Sequence, residues 1–244
     1  LFRTLNVEIL KLKRSPIIWF SMLGVAIAPV LNYVIFLSLK TNKPSAISME
    51  RYFEQCYVFF TVLISTMIFG LIAAYIFNRE YQEGTLGNML TIPTGRAELI
   101  INKMIILFGW IIFLVLFNFC LSIFLNYMGL FIQFDKEIII KYLKIYLLTG
   151  VLHFILMPVT VFITLVFKSY IPSVGFSIFV TITSLILTNT KYGELFPWSL
   201  IYLLARYQEE FNYSRLYSIT LMILTFITSL TACIVYFNRA DVEG

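Results

Sequence analysis

The chain has 244 residues, 60% of them apolar and 13% charged, with a mean hydropathy of +0.89 and a formal net charge of +5. A water-soluble domain has no room to hide that much apolar surface, so the composition excludes one and selects a membrane protein. The basic excess needs no nucleic acid to explain it, because Lys and Arg beside apolar runs meet anionic headgroups.

Six stretches, residues 15–39, 55–78, 104–134, 145–167, 169–190 and 216–238, contain no Asp, Glu, Lys or Arg. Each supplies the roughly 20 residues a helix needs to cross about 30 Å of hydrocarbon. They predict an all-α integral membrane protein, one transmembrane domain over 1–244, with spans at 16–39, 55–78, 104–127, 145–167, 172–190 and 216–238. A charge in lipid is costly, and carriers driven by ion gradients keep such charges as relays. None lies in these spans, so energy for uphill transport is expected to come from elsewhere.

Ahead of the first span, Phe2, Leu5, Ile9 and Leu12 recur at steps of three and four. This predicts an amphipathic helix over 1–14 lying along the membrane face, or a simple topogenic anchor. Lys11, Lys13 and Arg14 stand directly before the span and predict both termini on the cytoplasmic side of the cell membrane. The first stretch has no small-residue cleavage pattern behind it, which predicts a retained helix rather than a removed leader. Pro16 is tolerated at its start, and Pro29 is expected to kink it. A short loop with Pro44 follows, running from Lys40 to Arg51.

The second span is expected to end near Asn78, followed by the longest polar stretch on the cytoplasmic side, Arg79 to Lys103. Gly84 lets the chain turn out of the span, Thr85 can cap exposed amides, and Pro93 stops a helix. Leu86, Met89 and Leu90 then share a face flanked by Glu80, Glu83 and Arg96, as a docking ridge for a cytoplasmic partner would. The plainer alternative is a solvated connector. The third stretch is expected to emerge from about Asn126 onward, with Asp135, Lys136 and Glu137 as a wet turn.

In the fourth span His153 lies five residues before Pro158. It reads as a structural histidine bonding carbonyls freed by the proline, or as a substrate or proton site. Ser173, Ser177, Thr181, Ser184 and Thr188 put five hydroxyls on one face of the fifth span, for helix packing within the chain or across a dimer, or for a weakly polar path. The stretch from Pro197 to Tyr207 is too short to cross yet too apolar for water, and predicts a re-entrant or interfacial helix pair before the sixth span. Cys56, Cys120 and Cys233 lie in three separate spans and read as packed thiols.

The run Glu83, Gly84-Thr85-Leu86, Leu90, Thr91-Ile92-Pro93, Arg96 and Lys103 resembles the first intracellular loop of ABC type-2 exporter permeases. The six-span layout is similar to that family along essentially the whole chain. Within it, size and the lack of a large outer domain are most similar to the small permeases of bacitracin-type and lantibiotic-immunity exporters of Gram-positive bacteria. Many members carry an acidic residue where this chain has Gly87 and Asn88, so its coupling helix is expected to start later.

The resemblance implies a permease with no cofactor of its own, paired with a second permease copy and with two separate ATPase subunits that hold ATP and Mg. Closure of those subunits on ATP would push the coupling residues Glu80, Glu83, Gly84, Thr85, Leu86, Met89, Leu90, Pro93, Arg96 and Lys103, and the Phe2 to Leu12 helix, and expel a hydrophobic or amphipathic substrate. The chain has no G-x-x-x-x-G-K-[ST] motif. The readings left beside this one are a secondary carrier or channel and a non-transporting assembly or sensor subunit. A membrane enzyme would need a nucleophile with its base, paired carboxylates or a metal set, and the chain has a single His.

Overall fold

The computed structural model describes residues 10, 12, 15–42, 48–84, 95–130, 135–206 and 213–239. Among them every regular element is helical. Six helices are long and apolar enough to cross a membrane. They are α1 (Ile17–Asn42), α2 (Met49–Gln82), α3 (Arg96–Leu125), α4 (Lys136–Phe167), α5 (Tyr170–Leu187) and α7 (Arg215–Arg239), with a short α6 (Pro197–Ala205) before the last. In lipid a backbone satisfies its polar groups within its own helix, which is why each apolar run takes this form.

The long helices alternate in direction, giving the bundle two ends. The start of α1 and the end of α7 share the terminal end with the α2–α3 and α4–α5 connections; the other connections and α6 form the far end.

The helices overrun the apolar stretches. α2 starts at Met49 rather than 55, with Ser48 accepting from the Arg51 amide at 3.2 Å. α3 starts at Arg96 rather than 104, and α4 at Lys136 rather than 145. Asp135, predicted in a wet turn with Lys136 and Glu137, instead caps α4 by accepting from the Glu137 amide at 2.8 Å. A charged residue ends compatibility with lipid but not helicity, since Glu, Lys and Arg are good helix formers and caps decide where a helix stops.

Two stretches are wound more widely than an α-helix, with amides reaching back five residues: Phe59–Ser65 within α2, and Asn126–Leu130, which continues α3 where the sequence predicts emergence. Pro29 sits inside α1 and has no amide to give the Val25 carbonyl. Asn118 of α3 supplies the missing donor, its Nδ2 lying 2.8 Å from that carbonyl.

α2 and α4 form the centre of the bundle, and α1, α5 and α7 lie outside it; 56% of the most apolar window of α2 is buried but only 17% of that of α7. Tight packing rather than the hydrophobic effect holds such helices together. At Gly70 of α2 a Cβ would collide with Ser177 Oγ of α5, so glycine is what lets these two helices close. Ser173, Ser177, Thr181 and Ser184 are buried and Thr188 is half-buried. Ser173 Oγ meets Thr164 Oγ1 of α4 at 2.7 Å, and Ser177 and Thr181 donate to the carbonyls four residues back. The hydroxyl stripe is filled from within the chain in this conformation, and the exposed face of α5 is apolar, with Ile171, Phe179, Ile182 and Ile186.

The predicted re-entrant pair is a tight turn, Lys191–Leu195, followed by α6. Ser199 Oγ donates to the Phe196 carbonyl at 2.9 Å and also to that of Gly193, locking turn to helix. Cys56 and Cys233 are buried, but Cys120 is exposed on the lipid-facing side of α3 and is not a packed thiol.

Candidate functional site

At the terminal end α2 finishes in a C-cap built by its last residues. The Glu83 amide donates to the Arg79 carbonyl at 2.9 Å, and Gly84 follows with φ +62°, the left-handed conformation in which glycine has no Cβ penalty. Arg79 Nε lies 2.7 Å from Glu83 Oε1, one turn on. Gly95 is in extended conformation, and α3 begins at Arg96. Thr85, Leu86, Met89, Leu90 and Pro93, together with Phe2, Leu5 and Ile9, lie outside the described residues. Leu12 of the predicted interfacial face packs into the core cluster, while Leu10 is exposed.

The two stems of this segment are joined by a buried ion pair between Lys103 of α3 and Glu80 of α2. The Lys103 ammonium also donates to the Ile76 carbonyl at 2.8 Å and lies 5.5 Å from the centroid of the Phe77 ring. Taking two charges out of water costs several kcal/mol each, roughly, which their attraction offsets only with added hydrogen bonds such as the one to Ile76. The arrangement fixes the end of α2 to the first turns of α3.

Arg96 has a role that sequence reasoning misses. The sequence places it on the flank of a docking ridge, whereas the structure turns its Nη1 onto the carbonyls of Phe237 and Asn238, at 3.2 and 3.1 Å. Those belong to the last turn of α7, where carbonyls have no amide further along the helix to receive. The exit of the segment is thereby tied to α7. A pairing 141 residues apart leaves no local pattern; the only signal is that an open helix C-terminus seeks a cation.

The far end carries a second, wetter set of contacts. Arg206, just past α6, meets Glu54 of α2 at 2.5 Å, donates to the Tyr202 hydroxyl at 2.6 Å and lies over the Tyr202 ring. Burial works against its charge, but Tyr202 and Glu54 outweigh that and raise the pKa above the ordinary arginine value. Tyr202 stacks on Tyr57 of α2 at 5.8 Å, and Lys141 of α4 pairs with Glu50 at 2.6 Å.

Between the two ends His153 is wholly buried. Its Nδ1 donates to the Thr149 carbonyl at 2.9 Å, and its Nε2 meets Ser65 Oγ at 2.7 Å and Thr66 Oγ1 at 3.4 Å. The carbonyl deprived by Pro158 is that of Phe154, so the expectation that His153 repairs the proline is corrected: it bonds its own preceding turn and reaches across to α2. Among the described residues no group of His, Cys, Asp and Glu is placed to hold a metal ion.

A family model described as "ABC-2 family transporter protein" matches residues 4–184. The bacitracin transport permease protein BCRB of Bacillus licheniformis is 34% identical over 197 residues, covering 81% of this chain and 95% of that protein.

Proposed function

This chain belongs to the ABC-2 family of transporter proteins, as the membrane-spanning permease subunit of an ATP-driven exporter, and from that membership we propose that it moves an amphipathic or hydrophobic substrate, in the class of the peptide antibiotic named for its relative, out of the cell membrane. The chain is not itself an enzyme, and ATP hydrolysis belongs to a separate ATPase subunit. In this reading two such subunits, holding ATP and Mg, serve two permease copies. The terminal end faces the cytoplasm, as Lys11, Lys13 and Arg14 favour.

The observation that carries the mechanism is the three-helix tie around residues 83–95. Glu80 with Lys103 couples α2 to α3, and Arg96 couples the same segment to α7. Leu86, Met89 and Leu90 are the contacts assigned to the ATPase, with Glu83, Gly84, Thr85 and Pro93 shaping the segment that bears them. A push there reaches the ends of all three helices, and no charge inside the apolar stretches is required to drive the cycle.

The test is co-reconstitution of the permease with its ATPase in liposomes, using bacitracin as the probe. Export that needs ATP, and ATP hydrolysis that the permease stimulates, are expected, with both weakened in Leu86→Ala and Leu90→Ala. Movement of the probe by the permease alone under an ion gradient would overturn the reading in favour of a secondary carrier. Cysteines at Ser45 and Thr94 test the orientation: only Ser45 should label from outside intact cells.

A further inference from the structure

The wide stretch Phe59–Ser65 lies on α2 between the coupling segment and the Arg206 clasp, so any motion passed along this helix goes through it. Wide turns of this kind are frequent at functional positions, and each leaves the helix one residue out of α-helical register. Tightening by one residue turns the helix just beyond it, where it faces α1.

Ser65 closes the stretch. Its hydroxyl has one proton and two acceptors in reach, the Thr61 carbonyl at 2.9 Å and His153 Nε2 at 2.7 Å. In an α-helix Ser65 would meet the Thr61 carbonyl through its amide; in the wide turn that amide reaches back one residue further, and the Ser65 hydroxyl is what still meets Thr61. His153 holds its end of the contact rigidly. With the ring neutral, Nδ1 carries the proton given to the Thr149 carbonyl, which leaves Nε2 as an acceptor facing α2. The ring is also packed edge-on against Phe69, at 5.1 Å between centroids.

We propose that His153 is a positioning residue of the transport cycle: through Ser65 it holds the wide turns of α2 open, and a push on the coupling segment breaks that contact and lets the stretch tighten, turning the cytoplasmic half of α2 against α1. The source of the push rests on the exporter reading; the hold exerted by His153 does not.

The two parts separate in one experiment. Ile68 lies just beyond the stretch, its Cδ1 2.5 Å from where a Gly24 Cβ on α1 would stand. The permease–ATPase complex in nanodiscs carries Gly24→Cys and Ile68→Cys, with Cys56, Cys120 and Cys233 changed to Ala. Disulfide yield is read after mild oxidation. The parent is expected to cross-link without nucleotide and at least fivefold less when trapped with ATP and vanadate. His153→Leu should lower the nucleotide-free yield to the trapped value, and His153→Gln, which keeps a donor and an acceptor, should restore it. Ser65→Ala removes the shared proton and leaves the imidazole, so it should reproduce His153→Leu even if that variant fails to assemble.

A parent yield that ignores nucleotide, a parent that does not cross-link without it, or variants that match the parent would overturn the proposal. If the permease neither binds the ATPase nor stimulates it, the exporter reading falls instead. The nucleotide-free comparison of parent, His153→Leu and Ser65→Ala then still decides the role of His153.

Discussion

The two ends of α2 carry the same chemistry in different surroundings. At the terminal end Glu80 pairs with Lys103 almost out of contact with solvent, at 5% and 7% side-chain exposure. At the far end Glu54 and Glu50 pair with Arg206 and Lys141 at 34–56%. The buried pair cannot exchange its partner for water, so losing one member strands a charge; the exposed pairs can, so losing one changes little.

Lys103→Met probes this contrast most strongly. It leaves Glu80 buried without its cation and is expected to cost about 3–5 kcal/mol, read as a large fall in the unfolding midpoint of the purified permease. The double variant with Glu80→Met should recover most of that loss. A single variant as stable as the parent would show that the pair is hydrated.

Arg96→Ala comes next. It removes charged donors from the last carbonyls of α7, worth about 1.5–3 kcal/mol. Hydrogen exchange at the end of α7 should quicken while that at the far end stays unchanged; equal changes at both ends would dissolve the tie between the coupling segment and α7.

At the far end Arg206→Gln loses the ion pair with Glu54 and its contact with the Tyr202 ring. The expected cost is roughly 0–1 kcal/mol, smaller at high salt, by thermal unfolding. Lys141→Ala should be smaller again, within about 0.5 kcal/mol. A loss at Arg206 as large as that at Lys103 would erase the distinction between the ends.

The two described stems of the predicted coupling segment are legible in the amino-acid sequence, because their signals are local. Gly84 takes the left-handed turn that a glycine after a helix favours, and Lys103 stands at the mouth of the third span. What each polar side chain meets is not legible there. Arg96 finds α7, and Asn118 finds the carbonyl that Pro29 leaves open, through pairings that leave no periodic trace in the chain. The hydroxyl stripe shows the same division. Its steps of three and four put five residues on one face, but which neighbour fills that face depends on Gly70 of α2.

The sequence by itself determined that the chain spans a membrane six times, because uncharged runs of sufficient length have only one stable form in lipid. It also marked the polar stretch from Arg79 to Lys103 between the second and third spans. Local caps such as Ser48 and Asp135, and not apolarity, decided where the helices begin. The tertiary structure decided that α2 is wound wide at Phe59–Ser65 and that His153 reaches that stretch from α4, because a contact between residues 88 apart leaves no local pattern in the chain.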